Sequence, residues 1–171
     1  MRSTAMLAVV LIMILGSALV TRAAPPITQV ATPAVGSVGV GGGEVGSGES
    51  RVAPGYLLSL RRGVFDPGGI VPLHHHPGAL VIYVESGVLT YTVSEGTALV
   101  TRVAQASTPA PTEQIGPGAT ALLQPGDVVF EEGVVHVTEN RGEEPVVIWI
   151  AAMTATDESL TQFHPASTPA P

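Results

Sequence analysis

Three of the five histidines in this 171-residue chain are consecutive, in the stretch PLHHHPGALVIYVESG at residues 72–87. A fourth, His136, stands in GDVVFEEGVVHVTEN. A neutral imidazole offers one lone pair to a transition-metal ion, so two or three rings that converge make a chelate. In an extended strand residues i and i+2 share a face while i+1 points away. His74 and His76 can therefore reach one ion, and His75 should project to the opposite side. With His136 supplied from a separate apolar strand, the candidate metal set is His74, His76 and His136. The ligand type leaves the metal open among Fe, Zn, Mn, Cu and Ni. The plainer alternative is that His136 is an ordinary core histidine and the triple a surface loop. His164, beside Pro165 near the C-terminus, is assigned no role.

The elements that would hold such a set are short strands. Runs of β-branched and apolar residues (GYLLSLRRGVF, LVIYV, VLTYTV, TALVTRV, ATALLQ, DVVFE, VVHVTE and PVVIWIAAM) alternate with turn signals at Asp66-Pro67-Gly68-Gly69, Glu85-Ser86-Gly87, Ser94-Glu95-Gly96 and Pro125-Gly126-Asp127. Outside the N-terminal segment no stretch sustains a helical period of three to four. Eight or so short strands at close spacing predict an all-β sandwich or barrel, here a small β-barrel.

The spacing around the histidines resembles the cupin superfamily. Its first motif runs Gly, five residues, His-x-His, three or four residues, Glu, six residues, Gly; here Gly68, His74, His76 and Gly87 fall into it. The second motif runs Gly, five residues, Pro-x-Gly, two residues, His, three residues, Asn, and Gly126, Gly133, His136 and Asn140 match it. The resemblance covers about residues 68–150 and implies a jelly-roll type barrel with a metal site. The sequence departs from the pattern twice. Glu131 stands in the place of the second motif's proline, with the gap from Gly126 one residue shorter. More consequentially, Leu80 occupies the position of the family's metal-binding Glu, which reduces the expected site to the three histidines. Three neutral ligands leave a divalent ion with about two positive charges and open positions, which favours an anionic guest. Some cupins with three-His iron sites are dioxygenases, and many cupins dimerise through their outer strands, so the resemblance implies an oxygenase-type activity and a homodimer. Leu80 equally admits a lost metal site.

Composition bounds the partners. Net charge is −7 and all seven basic residues are arginine, which argues against a nucleic-acid binder, since those need clustered Lys or Arg. With no cysteine, thiolate sites, Cys nucleophiles and disulfides are excluded. Arg2 precedes an apolar run from Ala5 to Val20, followed by small residues, which reads as a signal peptide over 1–23 cleaved after Ala23. Loss of Arg2 and Arg22 would take the net charge from −7 to −9. A secreted or extracytoplasmic protein is expected, with membrane attachment only if the signal is an uncleaved anchor. Residues 24–50, rich in Gly, Ser, Pro and Ala, read as a flexible linker. The barrel is placed at 51–154, with a Pro-rich loop insertion at 104–117, and 155–171 reads as a disordered tail. The hexapeptide ASTPAP occurs in both, at 106–111 and 166–171.

Softer candidates complete the reading. Glu131 and Glu132 are expected as solvated acids on a turn, with a replacement carboxylate or general base as the alternative. Tyr83, Tyr91 and Trp149 are expected as core or barrel lining, and Arg61 and Arg62 as a solvated pair with a carboxylate-anchoring alternative. No catalytic residue and no organic-cofactor motif is assigned. The expected function is an exported metal-binding protein with a three-His site, an oxygenase-type enzyme on a small anionic organic substrate. The alternative is a non-catalytic module that holds a small ligand or metal.

Overall fold

The computed structural model describes residues 36–103 and 111–164. The expected signal peptide, the linker up to residue 35, the second ASTPAP copy and all but the last residue of the first lie outside the described residues. Within them, eleven strands follow in order: β1 (Val38–Glu49), β2 (Tyr56–His75), β3 (Gly78–Ser86), β4 (Leu89–Glu95), β5 (Ala98–Thr101), β6 (Thr112–Ile115), β7 (Thr120–Leu123), β8 (Val128–Glu132), β9 (Val135–Glu139), β10 (Val146–Ala155) and β11 (Gln162–Phe163). No helix interrupts them among the described residues.

The strands join in the order β6-β5-β8-β3-β10-β2-β9-β4-β7, with β1 and β11 also pairing with β2. Val100 of β5 and Leu123 of β7, from opposite ends of that order, lie in one buried cluster with Phe65, Ile82, Val84 and Val129. The sheet therefore rolls back on itself, and the all-β barrel expected from the alternating runs is the observed architecture. Each fully buried Val, Leu or Ile contributes about 1.5–3 kcal/mol, so this shared interior is the main reason the sheet closes.

The long strand β2 makes the closure and sets the site. Its first half, to Phe65, pairs with β10, whereas Ile70 to His75 pairs with β9. Between them Asp66-Pro67-Gly68-Gly69, expected as a turn, is instead a corner at which one strand changes neighbours. The Gly68 N–H donates to Asn140 O and the Asn140 N–H donates to Gly69 O, while Gly68 sits at φ 78°. The buried Asn140 side chain ties the corner further, donating to Phe65 O and Glu144 O.

Three strands fall where no strand was expected. The linker assigned to 24–50 contains β1, which pairs with β2 along its length. Edge pairing needs backbone groups rather than apolar side chains, and glycine permits close approach. A Cβ on Gly42, at φ 109°, would lie 2.0 Å from Arg62 O. The loop insertion at 104–117 contains β6, held to β5 in register Ala98↔Ile115 to Thr101↔Thr112. The tail assigned from 155 contains β11, which pairs Gln162 with His75 and Phe163 with His74.

Candidate metal centre

His74 lies near the end of β2, His76 directly follows the strand's last residue, His75, and His136 lies in β9, opposite His74 in the ladder. All three are buried, and one ring nitrogen from each lies within 4.8 Å of the others. Ring centroids are 4.2 Å apart for His74 and His136, 4.9 Å for His74 and His76, and 5.4 Å for His76 and His136. The fold thus brings His74 and His76, selected by strand alternation, together with His136 from the separate strand.

Their tautomers follow from their partners. His74 Nδ1 lies 2.7 Å from Pro72 O, and His76 Nδ1 lies 2.7 Å from Leu160 O. A carbonyl can only accept, so each Nδ1 carries the proton and donates it, leaving each Nε2 with a free lone pair. Burial, reinforced by neighbouring His76, takes His74 down to about 3 from its ordinary 6.5. Burial takes His76 down to about 4. His136 is held well below the ordinary range by burial and by His74 and His76 beside it. The rings are neutral at pH 7, which is the form that binds metal.

A carboxylate lies in the same cluster. Glu131 on β8 is 2% exposed, so the solvated acid expected on a turn is incorrect. Its Oε1 lies 3.6 Å from His76 Nε2 and its Oε2 3.6 Å from His136 Nδ1, too long for hydrogen bonds. Burial pushes the Glu131 carboxyl up to about 7 against the pull of a hydrogen bond donated by the Tyr91 hydroxyl. Tyr91, itself raised by burial and by that carboxylate, stacks on His136 with centroids 4.6 Å apart. Tyr91 thus lines the barrel as expected. Glu132, the other acid of the pair, is exposed.

Glu131 Oε1 and both ring nitrogens of His136 are buried without a hydrogen-bond partner among the described residues. Each such orphan costs about 1–3 kcal/mol, so three together are comparable with much of a domain's net stability of about 5–15 kcal/mol. Unpartnered lone pairs on neutral imidazoles beside a carboxylate are the donor set of a divalent-metal site, and the residues present fit such an ion.

The C-terminal segment, which sequence reasoning left without a role, helps build the site. Leu160 supplies the carbonyl that fixes His76, and the Phe163 ring lies 6.1 Å from His74. On the far side of β2, His75 Nδ1 lies 2.9 Å from His164 Nε2, so His75 does face away from the trio and has His164 as its partner. No pattern in residues 155–164 announces this, because Leu160 acts through its backbone.

A cavity of about 170 Å³ opens onto the three histidines, walled by Val40 and Gly42 of β1, Arg61, Ile82 and Leu160 among others. Arg61 lies on the cavity wall with its side chain partly exposed, and its guanidinium is 3.3 Å from Glu44. Tyr83, expected inside, is 43% exposed. Trp149, also expected inside, is half-buried opposite Tyr83 in the ladder, and its indole N–H donates to Glu85. Inward positions of β3 are Leu80, Ile82 and Val84, so Tyr83 necessarily faces out.

The sequence profile of the family described as Cupin matches residues 44–169. The chain is a cupin. Auxin-binding protein ABP19b from Prunus persica is 36% identical over 94 residues, an alignment that covers 54% of this chain and 37% of that protein. This cupin thus spans about a third of the length of the curated relative, in which 37% is aligned. Among solved structures, a cupin-2 domain from Rhodospirillum rubrum matches with TM-score 0.45 and 13% identity, covering 81% of this chain and 74% of that one. Salicylate 1,2-dioxygenase from Pseudoaminobacter salicylatoxidans matches with TM-score 0.42 and 14% identity, covering 72% of this chain and 28% of that one.

Proposed function

We propose that this cupin holds one divalent transition metal on His74, His76 and His136 and presents it to a small anionic organic molecule in the adjoining cavity. The observation that carries this is the trio itself: three buried neutral imidazoles, two with Nδ1 committed to backbone carbonyls and Nε2 left free. Bound there, Fe, Zn, Mn, Cu or Ni would supply a Lewis-acid centre with open positions. The chain's own residues do the rest. Pro72 and Leu160 fix ring orientation, and Tyr91 packs His136 in place on a cavity wall that is mostly apolar. Arg61 on that wall supports an anionic guest.

The activity we infer is oxygenase-type, with a non-catalytic binding module as the alternative. The test is metal content of untagged protein, followed by dioxygen uptake on a panel of diketones, phenolic acids and thiols. Consumption of one class supports the enzyme. Saturable binding without consumption makes the chain a binding module, and no metal after incubation with each ion ends the metal reading.

Export and a homodimer belong to the same proposal. The outer face of β2, β10, β3 and β8 exposes Leu58, Leu60, Met153, Val81, Tyr83 and Phe130 on neighbouring strands, an apolar area that supports a second copy docking there. Sedimentation equilibrium of wild type beside Val81→Glu checks it, with a dimer that becomes a monomer as the expected result.

A further inference from the structure

The position that the metal-binding Glu would take by the motif is Leu80, and Leu80 is a core residue, 1% exposed. Its partner across the β3–β8 ladder is Glu131. Directly opposed residues of an antiparallel pair point to the same face with Cβ atoms about 4.5–5.5 Å apart. Glu131 therefore enters the barrel beside the place where a carboxylate at position 80 would enter, but from the neighbouring strand. Val129 and Glu131 are the inward positions of β8, and Phe130 and Glu132 face outward.

Resting on the three-His reading, we propose that Glu131 is the fourth protein ligand, a carboxylate relocated across the ladder from position 80. Three observations converge on it. The side chain is 2% exposed, and among the described residues no Arg pairs with it, only the neutral rings of His76 and His136 at 3.6 Å. Oε2 accepts from the Tyr91 hydroxyl, whereas Oε1, on the His76 side, has no hydrogen-bond partner among the described residues. Oε1 lies 3.6 Å from His76 Nε2, the nitrogen whose lone pair is free. Two ligand atoms bound at about 2.0–2.2 Å to one ion stand about 3–4 Å apart, so this separation admits an ion contacting both. Leucine at 80 becomes intelligible as well: with Glu131 present, a second carboxylate opposite it would be a like-charge pair in an apolar interior. The assignment changes the site's chemistry, because a bound carboxylate lowers the net charge of the ion with its ligands from about +2 to about +1 and removes one open position.

The experiment measures Co(II) and Zn(II) affinity by chelator competition, with Co(II) absorption spectra, on wild type, His74→Ala, Glu131→Gln, and the swap Leu80→Glu/Glu131→Leu, with folding of each checked by circular dichroism. The expected result is loss of binding in His74→Ala, roughly 100-fold or more weakening and an altered Co(II) spectrum in Glu131→Gln, and recovery to within about tenfold in the swap. Carboxylate infrared difference spectra of the wild type on adding Zn(II) require no variant and should show a shifted band. Glu131→Gln with wild-type affinity and spectrum overturns the proposal while leaving the three-His reading intact, as does an infrared difference without a carboxylate band. Wild type that binds neither metal overturns both.

Discussion

The two sides of one strand end carry two kinds of histidine. On the inner side, His74 of β2 and His76 just past its end meet His136 in a buried cluster with lone pairs unclaimed. On the outer face, one residue between them, His75 is half-buried and shares a hydrogen bond with His164. Residue type and position in the sequence are nearly the same; environment is the whole difference. Burial strips the inner rings of water and leaves them neutral, with Nδ1 of two rings spent on carbonyls. The outer pair satisfies itself. A histidine becomes a ligand candidate by what it is denied, and strand alternation decides which rings are denied it.

The largest effect expected from breaking the inner set is loss of the metal. His74→Ala or His136→Ala should remove stoichiometric binding, and with it the stabilisation that excess metal supplies, about 2.7 kcal/mol at a free concentration a hundred times Kd. The check is metal content together with thermal unfolding at increasing Zn(II). A variant that still gains stability with Zn(II) would place the ion elsewhere.

Acid should separate the two faces next. In the metal-free chain His74 and His76 titrate near 3 and 4 when folded, against 6.5 in the ordinary case. Below pH 6.5 the unfolded chain takes up protons that the folded chain refuses. Their contribution is therefore full above 6.5 and falls as pH drops toward 4, by about 1.4 kcal/mol per unit for each ring. Glu131 has the opposite sign, since its folded value of about 7 exceeds the ordinary 4.5, so its contribution falls as pH rises between those values. Three histidines against one carboxyl leave a net uptake of roughly two protons on unfolding between pH 4.5 and 6.5. Urea unfolding of chelator-treated protein across this range should show stability falling steeply with acid. A flat profile would mean that the inner rings are solvated.

The strap over the site gives a smaller effect. Ending the chain after Thr156 removes the Leu160 carbonyl from His76 and β11 from β2, while the barrel core is untouched. Loss of a group that orients a ligand typically costs 10–100-fold in metal affinity. Weakening of about that size, measured by chelator competition with the fold intact by circular dichroism, is expected. Unchanged affinity would show that His76 needs no support.

What the sequence made legible follows the same division. Alternation within a strand picked His74 and His76 and turned His75 outward, because that periodicity is local. The eight apolar runs became strands for the same reason. Glu131 was expected in solvent, with a replacement carboxylate only as the alternative, because its face depends on where β8 ends and its neighbour on the register Leu80↔Glu131, and register is a property of two strands together. Its signal was present in the spacing Asp127, Val129, Glu131, three buried positions two apart, hidden by the turn-like Glu-Glu-Gly that follows. β1 and β11 were missed because they are held by backbone pairing to β2, which composition does not encode. Tyr83 and Trp149 were misplaced by taking an aromatic in an apolar run as interior, when the apolar residues of β3 and β10 occupy both faces.

The smallest expected effect is on the outer face, and it is the sharpest control. His75→Ala and His164→Ala each remove one partner of a half-buried hydrogen bond, worth about 0.5–1.5 kcal/mol. Both bonded atoms vanish in the double variant, so its cost should be about that of either single change, with a coupling of the same size. Metal stoichiometry and affinity should not move, because the pair points away from the trio and one nitrogen of each ring is bonded to the other. Isothermal titration of the double variant with Zn(II) reads this directly. One equivalent bound by both proteins with equal affinity keeps the faces distinct. A second equivalent in the wild type that disappears in the double variant would make the outer pair a ligand set too, and burial would no longer be what separates the two kinds of histidine.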